Sequence, residues 1–200
     1  MAKVLLLAAL LIIGCSSSVP TLTPLSSDAV IVAFGDSLTY GVGATTDKSY
    51  PALLAQLIQR EVINAGVSGE RTVQGLKRLP KVLEKYQPDL LILCHGGNDI
   101  LRKTGEEQAA DNFIKMIQMA QQYEIEVVLI GVPKPKLFLS EAANFYTKIA
   151  TQMEIPYEDK ILAQVLGKSS LKSDVVHPNA KGYQKIADAV AELLRQAEAI

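Results

Sequence analysis

From Ala29 onward the chain alternates short unbroken apolar runs with longer stretches whose apolar residues recur every three or four positions. The unbroken runs have strand character, and the recurrence marks one face of a helix. Val30 to Phe34 reads as the first strand, Glu61 to Asn64 as a short second and Asp89 to Cys94 as a third. Glu126 to Gly131 reads as a fourth and Ile155 to Tyr157 as a short fifth. Between them lie helical stretches. Ser49-Tyr50-Pro51 opens one, with Ser49 placed to cap it, Pro51 suited to its first turn, and Leu53, Leu54, Leu57 and Ile58 as its apolar stripe. Residues 73–86 carry Leu76, Leu79, Leu83 and Tyr86 on one side, and Pro80 is expected to kink or restart that helix. Glu106 to Tyr123 turns Phe113, Ile117 and Ala120 or Gln121 inward, 141–153 reads as a further helix, and Ile161 to Leu166 as a brief one. Pro178-Asn179 opens the last, where Tyr183, Ile186, Ala187, Val190 and Leu194 recur at helical spacing. The third strand is apolar throughout, which predicts burial on both faces, as in a parallel sheet. Strand alternating with helix predicts an α/β fold, a three-layer α/β/α sandwich on a parallel five-stranded sheet, without internal repeat or second domain.

The first residues are of another kind. After Lys3, Val4 to Ile13 is an uninterrupted apolar run that ends in Gly14-Cys15. The run is too short to cross a bilayer core of roughly 30 Å, and its length suits the apolar region of a secretory signal. Leu11-Ile12-Ile13-Gly14-Cys15 resembles the lipobox of bacterial lipoproteins, which implies cleavage before Cys15 and lipidation of Cys15. Three parts are therefore expected: a lipoprotein signal peptide over 1–14, the lipidated cysteine and a flexible tether over 15–28, and the folded domain over 29–200. Ser16 to Ser27 is uncharged and rich in Ser, Thr and Pro, and twelve such residues reach at most roughly 40 Å when extended. The expected place is the bacterial cell envelope, with the body anchored by lipid and facing the periplasm or exterior.

Composition narrows the function classes. Two hundred residues suit one medium domain, and 48% apolar residues suit a packed core. The net charge is −1 and the isoelectric point about 6.1, without the basic excess of a nucleic-acid binder. With Cys15 consumed by lipid, Cys94 is left alone inside an apolar run and reads as a small buried hydrophobe. Lys77, Lys81 and Lys85 share one helical face with Arg78 beside it, which reads as a solvated face. Phe34, Tyr40, Tyr50, Phe138 and Phe145 read as core or rim residues more than as an acyl channel.

Candidate chemistry collects where strands end. Phe34-Gly35-Asp36-Ser37-Leu38 puts a serine just past the first strand, where open parallel sheets form their crevice. Taken alone, Gly-Asp-Ser is ordinary turn composition. There are two histidines. His177 lies in Asp174-Val175-Val176-His177-Pro178, and a carboxylate three residues earlier can fold back on the imidazole, fixing its tautomer while the other nitrogen takes a serine proton. Taken alone, that pair could equally be a solvated Asp and His in a loop. Acyl transfer also needs donors for a developing oxyanion. Gly69, in Asn64-Ala65-Gly66-Val67-Ser68-Gly69, can offer a bare N–H after the second strand. Asn98, in Gly96-Gly97-Asn98-Asp99, can offer an amide after the third, and the Ser37 N–H would complete the hole. All these loops fall at one edge of a parallel sheet.

In this order the motifs resemble the SGNH, or GDSL, hydrolase family over about residues 29–195. Gly35-Asp36-Ser37-Leu38 matches its first block, Gly69 the second, Gly97-Asn98-Asp99 the third and Asp174-x-x-His177-Pro178 the last. Gly69-Glu70-Arg71-Thr72, Gln74-Gly75-Leu76 and Arg78-Leu79-Pro80 look further like the bacterial thioesterase I, lysophospholipase and arylesterase branch. The resemblance implies a flavodoxin-like sheet and a Ser-His-Asp triad acting without metal or organic cofactor. It casts Ser37 as nucleophile, His177 as general base and then acid, Asp174 as its orienter, and Ser37, Gly69 and Asn98 as the oxyanion hole. Pro133-Lys134-Pro135-Lys136, after the fourth strand, matches that branch only loosely. His95-Gly96-Gly97 invites comparison with α/β-hydrolase lipases, but no G-x-S-x-G elbow exists, since Gly66-Val67-Ser68-Gly69-Glu70 lacks the last glycine. His95 therefore reads as a local loop residue. The implied function is a serine esterase on carboxylic esters or thioesters, of lysophospholipase, arylesterase or acyl-thioesterase type. Its expected partners are a small-molecule ester or lysolipid and the membrane through the anchor, with the protein a monomer. The alternatives are a carbohydrate O-acetylesterase and a non-catalytic lipid- or glycan-binding lipoprotein.

Overall fold

A computed structural model of the chain describes residues 19–134 and 142–200. Cys15 and Phe138 lie outside the described residues. The strands are β1 (Val30–Gly35), β2 (Glu61–Gly66), β3 (Leu90–Cys94), β4 (Glu126–Ile130) and β5 (Tyr157–Glu158). They form one five-stranded sheet in the order β2-β1-β3-β4-β5, with every neighbouring pair parallel. The helices are α1 (Ser37–Tyr40), α2 (Tyr50–Ile58), α3 (Thr72–Tyr86), α4 (Gly97–Arg102), α5 (Glu106–Gln122), α6 (Asn144–Met153), α7 (Ile161–Leu166) and α8 (Ala180–Gln196).

The expected three layers are present. β1 and β3 are the central strands, and Ile31 to Phe34 and Leu90 to Leu93 are wholly buried, so these runs need no polar alternation. α2 packs on α8, and α3, α5 and α6 pack side by side. The chain leaves β1 toward β2 in one direction and leaves β3 toward β4 in the other. The two central strands therefore flank the point where strand order reverses, and loops at their carboxyl ends part to form a crevice. Ser37 follows β1 and Asn98 follows β3, so both stand at that crevice.

Three local expectations need correction. α3 runs unbroken through Pro80, which lies on its exposed side. Its buried stripe is Thr72, Gly75, Leu79, Val82 and Leu83, with Leu76 and Tyr86 only half-buried. β5 starts at Tyr157, two residues later than the apolar run suggests. The short helices α1 and α4 give no periodic signal of their own because each is hardly more than a turn.

The largest correction concerns the tether. Its second half is docked. The Leu22 N–H donates to the Ala197 carbonyl at 2.8 Å and the Leu25 N–H to the Ala199 carbonyl at 2.9 Å. Thr23 donates from its N–H and its Oγ1 to Glu126 Oε1, at 3.1 and 2.9 Å. Arg60 reaches the carbonyls of Ser26 and Leu25 at 2.9 and 3.0 Å. Leu22 is buried. Arg60 just precedes β2 and Glu126 opens β4, so this strap crosses the amino edge of the sheet, opposite the crevice. Its Ser, Thr and Pro content hides two leucines that fill space only the end of α8 and the sheet floor create.

Candidate active site

The turn after β1 is built by close packing. A Cβ on Gly35 would lie 1.8 Å from the Cys94 carbonyl oxygen and 2.3 Å from Thr39 Oγ1. The glycine is needed because β1, α1 and β3 meet there, and not because the turn requires an unusual φ. Asp36 then caps α1, its Oδ1 accepting the Leu38 N–H at 3.1 Å. Burial pushes the Asp36 carboxyl above the ordinary carboxylate range. Ser37 is thereby held at the first position of α1, at the mouth of the crevice.

His177 comes from the loop before α8. Lys172 and Pro178 pair across that loop, and the Ser173 N–H donates to the His177 carbonyl at 2.9 Å. Asn179 caps α8 through the Gly182 N–H and also donates to the Ser170 carbonyl at 3.0 Å. The imidazole Nδ1 lies 2.8 Å from Asp174 Oδ2 and Nε2 lies 3.0 Å from Ser37 Oγ. With Nδ1–H given to the carboxylate, Nε2 is left as the acceptor for the serine proton. Asp174 Oδ1 accepts the N–H groups of Val176 and His177, each at 2.8 Å. Burial works against the Asp174 charge, but the hydrogen bonds from the His177 ring and those two N–H groups outweigh it and hold the carboxyl below the ordinary range. The fold thus brings Ser37 to His177, 140 residues later in the chain, and through it to Asp174, in the geometry of an activated serine.

Beside them opens a cleft of about 180 Å³ lined by Ser37, Gly69 and Asn98 at one end. Leu101, Val132, Leu166 and Val175 are among the apolar residues of its walls. Gly69 has φ +78°, a conformation that disfavours side chains, so glycine is the residue that presents this N–H cheaply. Asn98 sits in the first turn of α4 and donates through Nδ2 to the Glu70 carbonyl at 3.0 Å. Ser37, Gly69, Asn98 and His177 therefore border one cleft, and Asp174 stands behind His177, bonded to its ring. Of the aromatics, Phe34, Tyr50 and Phe145 are buried core residues, Tyr40 is exposed, and none of these four lines the cleft. Among the described residues, no group of three or more His, Cys, Asp or Glu side chains could hold a metal ion.

Several residues matter more than their local pattern suggests. Asp99 is buried and takes the Thr72 N–H and hydroxyl, both at 2.9 Å, which ties the start of α3 to α4. His95 is wholly buried and bonded to Glu70. Arg78 does not join the solvated lysine face but forks onto Glu70. Cys94 is buried and free, and burial pushes its thiol well up, consistent with an inert packing role.

The profile of the GDSL-like lipase/acylhydrolase family matches residues 33–185. An arylesterase of Vibrio mimicus is 30% identical over 174 residues, covering 82% of this chain and 87% of that protein. The thioesterase 1/protease 1/lysophospholipase L1 of Escherichia coli K12 is 30% identical over 177 residues, covering 85% of each. The crystal structure of TesA superposes with a TM-score of 0.76 at 25% identity, over 84% of this chain and 99% of that one. A family profile and relatives that span most of both chains agree with the order of blocks at the strand ends, and the chain belongs to the GDSL-like lipase/acylhydrolase family.

Proposed function

We propose that the chain is a serine esterase that cleaves carboxylic esters or thioesters through an acyl-enzyme on Ser37. The observation that carries this is the chain of contacts from Asp174 through His177 to Ser37, at 2.8 and 3.0 Å, opening on an apolar cleft. In the first half-reaction Ser37 Oγ attacks the carbonyl carbon and its proton passes to His177 Nε2. The carbonyl oxygen becomes an oxyanion facing the N–H groups of Ser37 and Gly69 and the Asn98 amide. Collapse expels the alcohol or thiol, which takes the proton from His177. Water then attacks the acyl carbon by the same route, giving its proton to His177 and releasing the acid and Ser37. Asp174 stays ionised and steadies the imidazolium.

The acyl preference follows from the walls. Leu101 and Val175 line the cleft and remain largely exposed, so apolar surface continues from the serine out to the rim. Such a groove suits a medium acyl chain better than an acetyl group on a polar sugar. The substrate class that fits is lysophospholipids and other medium-chain or aryl esters. The relatives named for arylesterase and lysophospholipase activities support the same class. Lipid anchoring at Cys15 and a place in the cell envelope, facing the periplasm or exterior, complete the reading. Acyl-CoA is a cytoplasmic metabolite, so at that location lysolipids are the better match.

The test is turnover of nitrophenyl esters from two to sixteen carbons, beside a folded Ser37→Ala control. Rates peaking at medium chain and abolished by the substitution are expected. Acetyl-only turnover would point to the carbohydrate acetylesterase instead. No turnover at any length in folded protein would leave a binding lipoprotein.

A further inference from the structure

Beneath the oxyanion donors lies a buried cluster that the proposed reaction does not use. Glu70 follows Gly69, His95 comes just after β3 and before Gly96-Gly97-Asn98, and Arg78 stands on α3. The Glu70 carboxylate is fully engaged. Oε1 accepts the Arg78 Nε–H at 2.8 Å, and Oε2 accepts a second guanidinium N–H at 2.7 Å. Oε2 also lies 3.1 Å from His95 Nε2. The His95 tautomer follows from its other side, where Nδ1 accepts the Gly96 N–H at 2.9 Å, so the proton is on Nε2 and is given to Glu70. Asp36 Oδ2 faces the same Nδ1 at 4.0 Å. Arg78 in turn donates to the Ala65 carbonyl at 3.0 Å and lies 4.1 Å over the Phe34 ring. Space for the imidazole exists because Gly75 has no Cβ, which would fall 2.6 Å from His95 Nε2.

The placement of these partners along the chain gives the cluster a meaning. Phe34 lies three residues before Ser37, Glu70 is next to Gly69, and His95 lies three residues before Asn98. Each strand end that carries an oxyanion donor thus has one neighbour in the cluster: His95 meets the Glu70 carboxylate directly, and Phe34 reaches it through Arg78. The Glu70 backbone completes the link, because its carbonyl accepts the Asn98 amide at 3.0 Å and so fixes that amide, whose Nδ2 also lies at a longer 3.5 Å from Asp36 Oδ2.

We propose that Glu70 is a positioning residue for the oxyanion hole, its carboxylate clamped by His95 and Arg78 so that the Gly69–Glu70 peptide and the Asn98 amide hold one geometry. A burial role alone could be filled by apolar residues of similar volume, often without loss of stability. A carboxylate with three charge-assisted or neutral donors is instead directional, and direction is what preorganised donors need. The proposal rests on the reading of Ser37 as nucleophile, which the wild-type ester assay and Ser37→Ala test separately.

The experiment compares wild type, Glu70→Ala, Asn98→Ala and the double variant on one medium-chain nitrophenyl ester, with folding checked by circular dichroism and thermal melts. An alkylboronic acid that forms a tetrahedral adduct on the serine is titrated against each. Removal of one oxyanion donor typically lowers kcat about 10²–10³-fold. Glu70→Ala should lower kcat about 10–10²-fold with KM changed little, weaken the boronate by a similar factor, and cost much less when Asn98 is already alanine. If Glu70→Ala does not fold, Arg78→Lys keeps the charge but loses the fork, and should lower kcat and boronate affinity together by a smaller factor. The proposal is overturned if the folded variants keep kcat and boronate affinity within about twofold of wild type. It is equally overturned if the Glu70 and Asn98 losses simply multiply.

Discussion

Glu70 and Asp174 are both carboxylates held below their ordinary range, and the reasons differ. Asp174 is half-exposed and owes its ionised state to His177 and two local N–H groups within three residues. Glu70 is buried, and its charge survives because bonds from His95 and Arg78 outweigh the burial that opposes it. The Glu70 carboxyl is ordinarily 4.5 and lies lower in the fold. An acid with a lowered folded-state value adds stability above its ordinary value, and that contribution disappears as pH falls through the folded value. The unfolding free energy of wild type should therefore exceed that of Glu70→Gln by a gap that is constant above about pH 5 and narrows below 4.5. Urea titrations at a series of pH values measure it, and a gap that does not narrow would mean that the Glu70 carboxyl is not held lower in the fold than in the unfolded chain. The motif pattern marks Glu70 only as the neighbour of Gly69. Its partners lie 8 and 25 residues away, and no local periodicity joins them.

At the scale of elements, the strap over 22–27 behaves as part of the fold. It contributes the buried Leu22 and backbone hydrogen bonds to the residues after α8. Burying one leucine side chain is worth about 1.5–3 kcal/mol, and each net hydrogen bond about 1 kcal/mol. A body beginning at residue 28 should thus be less stable than one beginning at residue 19 by about 2–4 kcal/mol in urea. Its kcat on soluble esters should be unchanged, because the strap crosses the sheet edge opposite Ser37. Equal stability of the two bodies would show the strap to be weakly held, and a lost kcat would show that the two edges are coupled. The strap was hidden in sequence by composition. β1, β3 and α8 were legible because their apolar patterns exceed a single turn, and α1 and α4 were not because theirs do not.

For the whole molecule, the two edges of the sheet divide the labour. The carboxyl edge holds the cleft, and the amino edge holds the strap that leads back toward Cys15. Strands of five or six residues separate these edges by about 17–20 Å. Only six residues separate Cys15 from the docked Leu22, a reach of at most roughly 25 Å. A lipid on Cys15 would therefore hold the body by the edge away from its cleft, and not on the long leash that a free tether would allow. Cys15→Ser should release the protein from membranes into the soluble fraction while leaving its turnover of short soluble esters within about twofold of the anchored form. Continued membrane retention would mean that Cys15 is not the anchor, and a large change in turnover would mean that the bilayer reaches the cleft.

By itself the sequence determined the layered α/β architecture, since buried strands and amphipathic helices write their periods into neighbouring residues. It also determined that Ser37, Gly69, Asn98 and His177 meet at one cleft, with Asp174 behind the histidine, because in a parallel sheet every strand end of one sense must fall on the same edge. Ser37, Gly69 and Asn98 follow three strands, and Asp174 and His177 precede the final helix. Tertiary structure alone decided the rest. It made Gly35, which in sequence is ordinary turn composition, a point of close contact between β1 and β3. It converted Arg78 from a surface charge and His95 from a loop residue into the clamp on Glu70, and it seated Leu22 beneath α8. Each of those outcomes depends on what lies opposite a residue in space, where close packing and the cost of an unpaired buried charge act, and neither leaves a trace in the local pattern.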